Sequence, residues 1–269
     1  MGMTADEAAM QGRKPQLAVH KFSSCDGCQL AFLNAGEALL GLSELVDIVH
    51  FVEAGPVAPE ARVDIAFVEG SIATPEDLER IKRIRENSKY LITIGACATA
   101  GGIQALRNLA DGQVWIDAVY ASPQYIDALA TSTPIAAHVK VDLELWGCPV
   151  NTRQVLAAVR ALLFGVAPTV SRDSVCMECK RAGNVCVLVT KDMPCMGPVT
   201  QTGCGALCPS FGRECYACYG PAENVNTVAL SRRFAGLGLV PEAVARRFLT
   251  VNAAAPTFVQ AAQRARGKP

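Results

Sequence analysis

The chain has 269 residues, 51% of them hydrophobic, with 25 Lys+Arg against 25 Asp+Glu. That length supports one large or two modest domains with a real core, and the charge balance excludes a basic nucleic-acid binder and an acidic, disordered chain. No stretch approaches the roughly 18 uninterrupted apolar residues of a membrane helix, so no membrane span is expected.

Residues 1–15 form an N-terminal extension without an apolar h-region or a twin-arginine pair, and a cytoplasmic location is expected. Beyond it, strand and helix signals alternate. QLAVHKF (16–22) reads as a strand, and Gly27–Leu40 as a helix with Leu30, Leu33 and Ala38 among its apolar positions. LVDIVHFV (45–52) and VDIAFVEG (63–70) are β-branched apolar runs of strand length. Thr74-Pro75-Glu76-Asp77 starts a helix that should run to about Asn87: an N-cap, proline at the first helical position, then acids in the first turn.

KYLITIGA (89–96) is a further strand, a helical stretch follows from Gly102, and VKVDLELWG (139–147) is another strand. Asn151-Thr152-Arg153-Gln154 has the form of a capping box opening a helix to about Phe164. Strands alternating with helices predict an α/β fold, a flavodoxin-like, doubly wound parallel sheet over residues 16–168. The remainder, 169–269, is a second domain of different character. From Ser171 to Pro221 the chain is loops, glycines, prolines and eight of the twelve cysteines, and nothing periodic is left to build a core. Residues 222–266 return to helical patterns such as PEAVARRFL, expected to pack back onto the body.

Twelve cysteines with only three histidines, in a compartment expected to be reducing, point to metal–thiolate chemistry rather than to disulfides. Cys25, Cys28, Cys97 and Cys148 each fall just past the carboxyl end of a predicted strand, the edge at which open α/β sheets bind ligands. Gly27, Gly95, Ala96 and Gly147 beside them allow backbone amides to approach sulfur, and Pro149 stiffens the last loop. Four thiolates suit zinc or a cubane iron–sulfur cluster, and Cys25-x-x-Cys28 alone would also suit a redox dithiol. The other eight divide along the chain into Cys176, Cys179, Cys186 and Cys195, then Cys204, Cys208, Cys215 and Cys218. The bacterial ferredoxin spacing is absent, and zinc ribbons are the main alternative. Three four-cysteine sites in one chain suggest a conductor of electrons.

SSCDGCQ, EGSIATPED, TIGACATAGGI, LWGCPVN and MGPVTQTGCGALCPSFGRECYACYGP, in that order, resemble the small subunit of nickel–iron hydrogenases. The N-terminal part of that subunit is also similar to the 20-kDa-type subunit of respiratory NADH:quinone oxidoreductase. The resemblance runs from about Gln16 to Pro221. It implies three 4Fe–4S clusters: a proximal one on Cys25, Cys28, Cys97 and Cys148, a medial one on Cys204, Cys208, Cys215 and Cys218, and a distal one on Cys176, Cys179, Cys186 and Cys195. It also implies a nickel–iron large subunit as partner. The all-cysteine ligand set is most similar to the cytoplasmic NAD(P)-linked and sulfhydrogenase group, which adds flavin and iron–sulfur diaphorase subunits.

Departures from the family pattern are informative. Where many members have a distal histidine this chain has Cys176, and where members with a three-iron medial cluster have proline it has Cys208. The acid that often follows the first C-x-x-C is replaced by Gln29 and Leu30, leaving Glu69 as a substitute or as a structural carboxylate paired with a helix start. Lys180 and Arg181 either act on the distal site and a docking partner or form a solvated turn. His20, His50 and His138 lie outside the cysteine segments and read as packed or solvated residues. No G-x-G-x-x-G follows the first strand, so the chain itself is not expected to bind a dinucleotide. An alternative within the same resemblance is a connecting iron–sulfur subunit of a quinone-oxidoreductase-like complex.

Overall fold

The structure, a computed structural model, describes residues 13–267; most of the N-terminal extension lies outside them. Five strands form one parallel sheet: β1 (Gln16–Lys21), β2 (Asp47–Phe51), β3 (Val63–Glu69), β4 (Ser88–Ile94) and β5 (Leu143–Leu145), in the order β2-β1-β3-β4-β5. This is the flavodoxin-like order expected, with its switch point between β1 and β3. The central strand β3 is buried at all seven positions, as strands covered on both faces must be.

The helices divide between the two faces. On one side, α1 (Gly27–Leu33), α2 (Glu37–Leu45) and α6 (Thr152–Leu163) bring Phe32, Leu42, Val155 and Val159 onto Val19, Phe51, Phe67 and Ile94. On the other, α3 (Pro75–Glu86) and α4 (Gly95–Ala100) set Ile81, Ile84 and Ala98 on Ala18, Ala66, Val68 and Leu91. Alternate residues of β1, β3 and β4 thus serve opposite cores, which is what makes the sheet doubly wound.

Local signals explain the boundaries. Thr74 accepts the Asp77 N–H at 3.2 Å and Asp77 accepts the Thr74 N–H at 3.1 Å, a complete capping box with Pro75 at the first helical position, and α3 ends at Asn87. The single helix expected over Gly27–Leu40 is two, because Gly36 turns into a positive φ of 55° and breaks it. The stretch after Gly102 begins as a 3₁₀ segment, Ile103–Leu109, before α5 (Gly112–Val119), and the run 139–147 pairs only at Leu143–Leu145, on the sheet edge. At α6, Asn151 accepts the Arg153 N–H at 2.8 Å, but the Asn151 N–H makes no reciprocal bond to the Gln154 side chain, whose Oε1 is buried without a partner.

In the loop-rich segment the only α-helices are short: α7 (Val175–Arg181), α8 (Val187–Thr190) and α9 (Leu207–Ser210). It is not without a core. The helices α10 (Thr227–Gly236), α11 (Pro241–Leu249) and α12 (Pro256–Ala265) pack Phe234, Phe248 and Phe258 against Val187, Met196, Val199, Cys195 and Cys215. The C-terminal helices therefore supply the apolar surface that the cysteine segment lacks. They also return to the α/β body, where the Ala254 N–H donates to Ala100.

Candidate metal centres

The strand ends place the first four cysteines. Cys25 and Cys28 flank the start of α1 after β1, Cys97 lies in α4 directly after β4, and Cys148 follows β5, so all four sit at the carboxyl edge of the sheet. Cys28 is buried, Cys97 half-buried, Cys25 and Cys148 exposed. Their thiols act on one another. Burial, with Cys148 and Cys25 adding to it and a hydrogen bond to Gln104 Oε1 at 3.4 Å opposing, pushes the Cys97 thiol up to about 11. Cys28 is raised more strongly, by burial, then Glu69, then Cys97 and Cys148. Gln104 also donates to the Ser23 carbonyl at 2.8 Å, tying the Cys97 helix to the Cys25 loop.

Glycine makes room for these sulfurs. A Cβ on Gly95 would collide with Cys28 Sγ, and one on Gly102 would lie 2.5 Å from Cys97 Sγ. Glu69, at the end of β3, is buried and accepts the Cys28 and Gln29 N–H groups at 3.0 and 3.3 Å. It is paired with the start of α1; burial raises its pKa while the two amides hold it down.

The later eight cysteines form two further groups. Cys176, Cys179, Cys186 and Cys195 line one cavity, closed by Val175, Val187, Leu188 and Pro209. Burial, then Cys195, Cys179 and Cys186, bring Cys176 to about 11 against the opposing Lys180. Lys180 and Arg181 are exposed at the end of α7. Gly197 lies beside two of these sulfurs at ordinary contact distance, its Cβ position 3.4 Å from Cys195 Sγ and 3.6 Å from Cys176 Sγ. Cys204, Cys208, Cys215 and Cys218 line a second cavity, together with Cys148, Pro149 and Tyr219. Burial, then Cys204, Cys148 and Cys208, lift Cys218 to about 12.

The three groups stand in series. The Cys148 thiol and amide both act on the Cys218 thiol, and the Cys215 N–H donates to Cys195 Sγ at 3.2 Å. The outer groups contain exposed thiols, Cys25 and Cys148 at one end and Cys186 at the other, whereas none of the middle four is exposed. Among the described residues no three Cys, His, Asp or Glu side chains gather tightly enough to hold one ion.

Comparison with known proteins decides the family. Residues 25–162 match the family model described as NADH ubiquinone oxidoreductase, 20 Kd subunit. Subunit delta of sulfhydrogenase 2 from Pyrococcus furiosus is 33% identical over 235 residues, covering 87% of this chain and 98% of the relative.

The chain belongs to the 20-kDa-subunit family, in its hydrogenase small-subunit branch.

Subunit delta of the NAD-reducing hydrogenase HoxS from Cupriavidus necator is 30% identical over 173 residues, 59% of this chain and 83% of the relative. A solved NAD⁺-reducing [NiFe]-hydrogenase chain superposes with a TM-score of 0.54 at 26% identity, covering 58% of this chain and 95% of that one. The family resemblance carried by the sequence motifs is thereby established, and with it the place of this chain as an oxidoreductase subunit. No helix among the described residues of this small subunit is long and apolar enough to cross a membrane.

Sequence motifs alone left several residues of the hydrogenase-type sites without a role. Trp146 and Tyr219, inside LWGCPVN and CYACYGP, exchange places across the seam between the body and the loop-rich segment. The Tyr219 ring lies on Gly147 and Gly203, 2.9 and 2.8 Å from where their Cβ atoms would be, and the Trp146 ring occupies the Cβ position of Gly220. Asn151 caps α6 and also donates to the Gly203 carbonyl at 2.7 Å, and Glu178, between Cys176 and Cys179, reaches the Cys204 loop. An aromatic residue next to a glycine in each of two cysteine motifs was the one signal that could have flagged the seam.

Proposed function

We propose that this chain is the electron-transfer subunit of a nickel–iron hydrogenase and holds three 4Fe–4S clusters in a row. In this reading Cys25, Cys28, Cys97 and Cys148 hold the proximal cluster, facing a nickel–iron large subunit. The medial one is held by Cys204, Cys208, Cys215 and Cys218. Cys176, Cys179, Cys186 and Cys195 hold the distal one, facing NAD(P)-linked flavin and iron–sulfur subunits. The single observation that carries it is the serial arrangement: the middle group touches both neighbours, through Cys148/Cys218 and Cys195/Cys215, and only the outer groups contain exposed thiols.

The residues suit the group. Crowded, buried thiols that raise each other's pKa are relieved when a cationic core displaces their protons, so loading is coupled to deprotonation. Gly95 and Gly102 leave the room that the Cys28 and Cys97 sulfurs occupy, and any side chain there would displace the ligands. Such clusters supply one-electron transfer at potentials set by net charge, hydrogen bonds and exposure. The protein's part is to hold thiolates at fixed spacing, exclude water and place amides and charges near sulfur. A connecting role in a quinone-oxidoreductase-like complex is less well supported, because the 20-kDa family match ends at residue 162, before eight of the cysteines.

Anaerobic purification is expected to yield roughly twelve irons per chain, a visible absorbance that bleaches on reduction, copurified nickel, and hydrogen-dependent dye reduction. Colourless or zinc-loaded protein would exclude the proposal; iron without nickel or hydrogen-dependent activity would favour the connecting role. Cys208→Pro is expected to turn the medial site into a three-iron site with a higher potential, read as a new paramagnetic signal in the oxidised state. An unchanged cluster spectrum would reject the grouping of Cys204, Cys208, Cys215 and Cys218.

A further inference from the structure

Glu178 links two of the cysteine groups. It sits on α7 between Cys176 and Cys179, yet its carboxylate turns away from that group and crosses to the next. Its Oε1 accepts the Gly203 N–H at 2.9 Å and its Oε2 accepts the Ala206 N–H at 3.2 Å. These two amides bracket Cys204. The loop they belong to is conformationally demanding: Gly203, Gly205 and Ala206 all have positive φ, at 138°, 67° and 54°. A left-handed alanine is held there only by its surroundings, and the bidentate carboxylate is the clamp that holds it. Asn151 grips the same loop from the other side through the Gly203 carbonyl.

Resting on the cluster reading above, we propose that Glu178 is a positioning residue for the middle cysteine group. It shapes the Cys204 loop, and it holds a negative charge beside that group which lowers the group's reduction potential. The physical effect is electrostatic: a nearby carboxylate disfavours adding an electron to the group. The proximity is also felt by the Cys204 thiol, which burial raises, the Leu207 and Ala206 amides lower, and Glu178 raises. The distal group, although Glu178 is its neighbour in sequence, receives none of these bonds.

The test is a redox titration of the complete hydrogenase complex, followed by paramagnetic resonance, with wild-type and Glu178→Gln chains. Iron and nickel content are measured first, so that failure of the cluster reading shows as missing iron before any potential is compared. With iron complete, the midpoint of one cluster of the three is expected to move upward in Glu178→Gln, and that cluster is the one whose signal Cys208→Pro converts. Midpoints that stay put, that move together, or that move only at another cluster overturn the proposal. If Glu178→Gln loses iron, the loss should be confined to about a third of the total and Glu178→Asp, which keeps the charge, should restore both iron and the low midpoint. Loss that Asp does not restore overturns it as well.

Discussion

Gly220→Ala will destabilise the protein by about 2–5 kcal/mol, combining roughly 1–3 kcal/mol for overpacking and 1–2 kcal/mol for an L-residue in left-handed backbone. Gly220 has φ 71° and its missing side chain is the space filled by the Trp146 ring, whose carbons overlap the Cβ position. Trp146 cannot withdraw easily. It is partly buried in the C-terminal core and its indole N–H donates to Glu144 Oε2 at 3.2 Å. Gly238 is the control: φ is 88° but nothing lies within 4 Å of its Cβ position, so Gly238→Ala should show the backbone contribution alone. Denaturant midpoints of the two variants measure the difference, and equal losses would mean that the ring contact is not a constraint. Combining Gly220→Ala with Trp146→Leu should recover part of the loss, because the two changes share one contact.

Acidification from pH 7 to 4 will weaken the α/β body by several kcal/mol through His20. This side chain is 4% exposed, and its ring centroid lies 4.7 Å from that of His50. Burial, followed by the neighbouring His50 and Arg80, lowers its pKa from 6.5 to about 3. His50 is lowered too, by burial and by Arg80, and its Nδ1 accepts the Ala58 N–H at 3.2 Å, a bond that protonation would abolish. The sign follows from proton binding. Between pH 6.5 and about 3 the unfolded chain takes up a proton that the folded chain refuses, so stability is complete above the unfolded value and falls as the pH drops towards the folded one. A shift of this size corresponds to an upper bound of order 4–5 kcal/mol. Replacing His20 with Gln removes the titrating group, so the difference between the two proteins isolates it from acid loss of metal. If both lose stability along the same curve between pH 7 and 4, His20 is not the cause.

Much of the body was legible because parallel strands buried on both faces are continuous β-branched runs, and because Thr74-Pro75-x-Asp77 satisfies its own orphan amides locally. What the sequence hid was decided by distant packing. VKVDLELWG looks like a long strand, but at the sheet edge only Leu143–Leu145 finds a partner. The helical periodicity of Gly27–Leu40 ran through Gly36, whose conformation splits the helix. At the candidate sites the cysteines announced themselves by type and spacing. Glu178 did not, since its partners Gly203 and Ala206 are more than twenty residues away and nothing local distinguishes it from a solvated acid. The core of the cysteine segment was hidden for a similar reason: Phe234, Phe248 and Phe258 come from downstream helices.

The crossed rings at the seam have a mechanical consequence. Trp146 belongs to the body and sits on a glycine of the loop-rich segment, while Tyr219 belongs to that segment and sits on Gly147 of the body. Sliding one half past the other would have to displace both rings, so the two contacts resist shear along the joint. Cys148 and Cys218, which line one cavity beside the Tyr219 ring, face each other across that same joint.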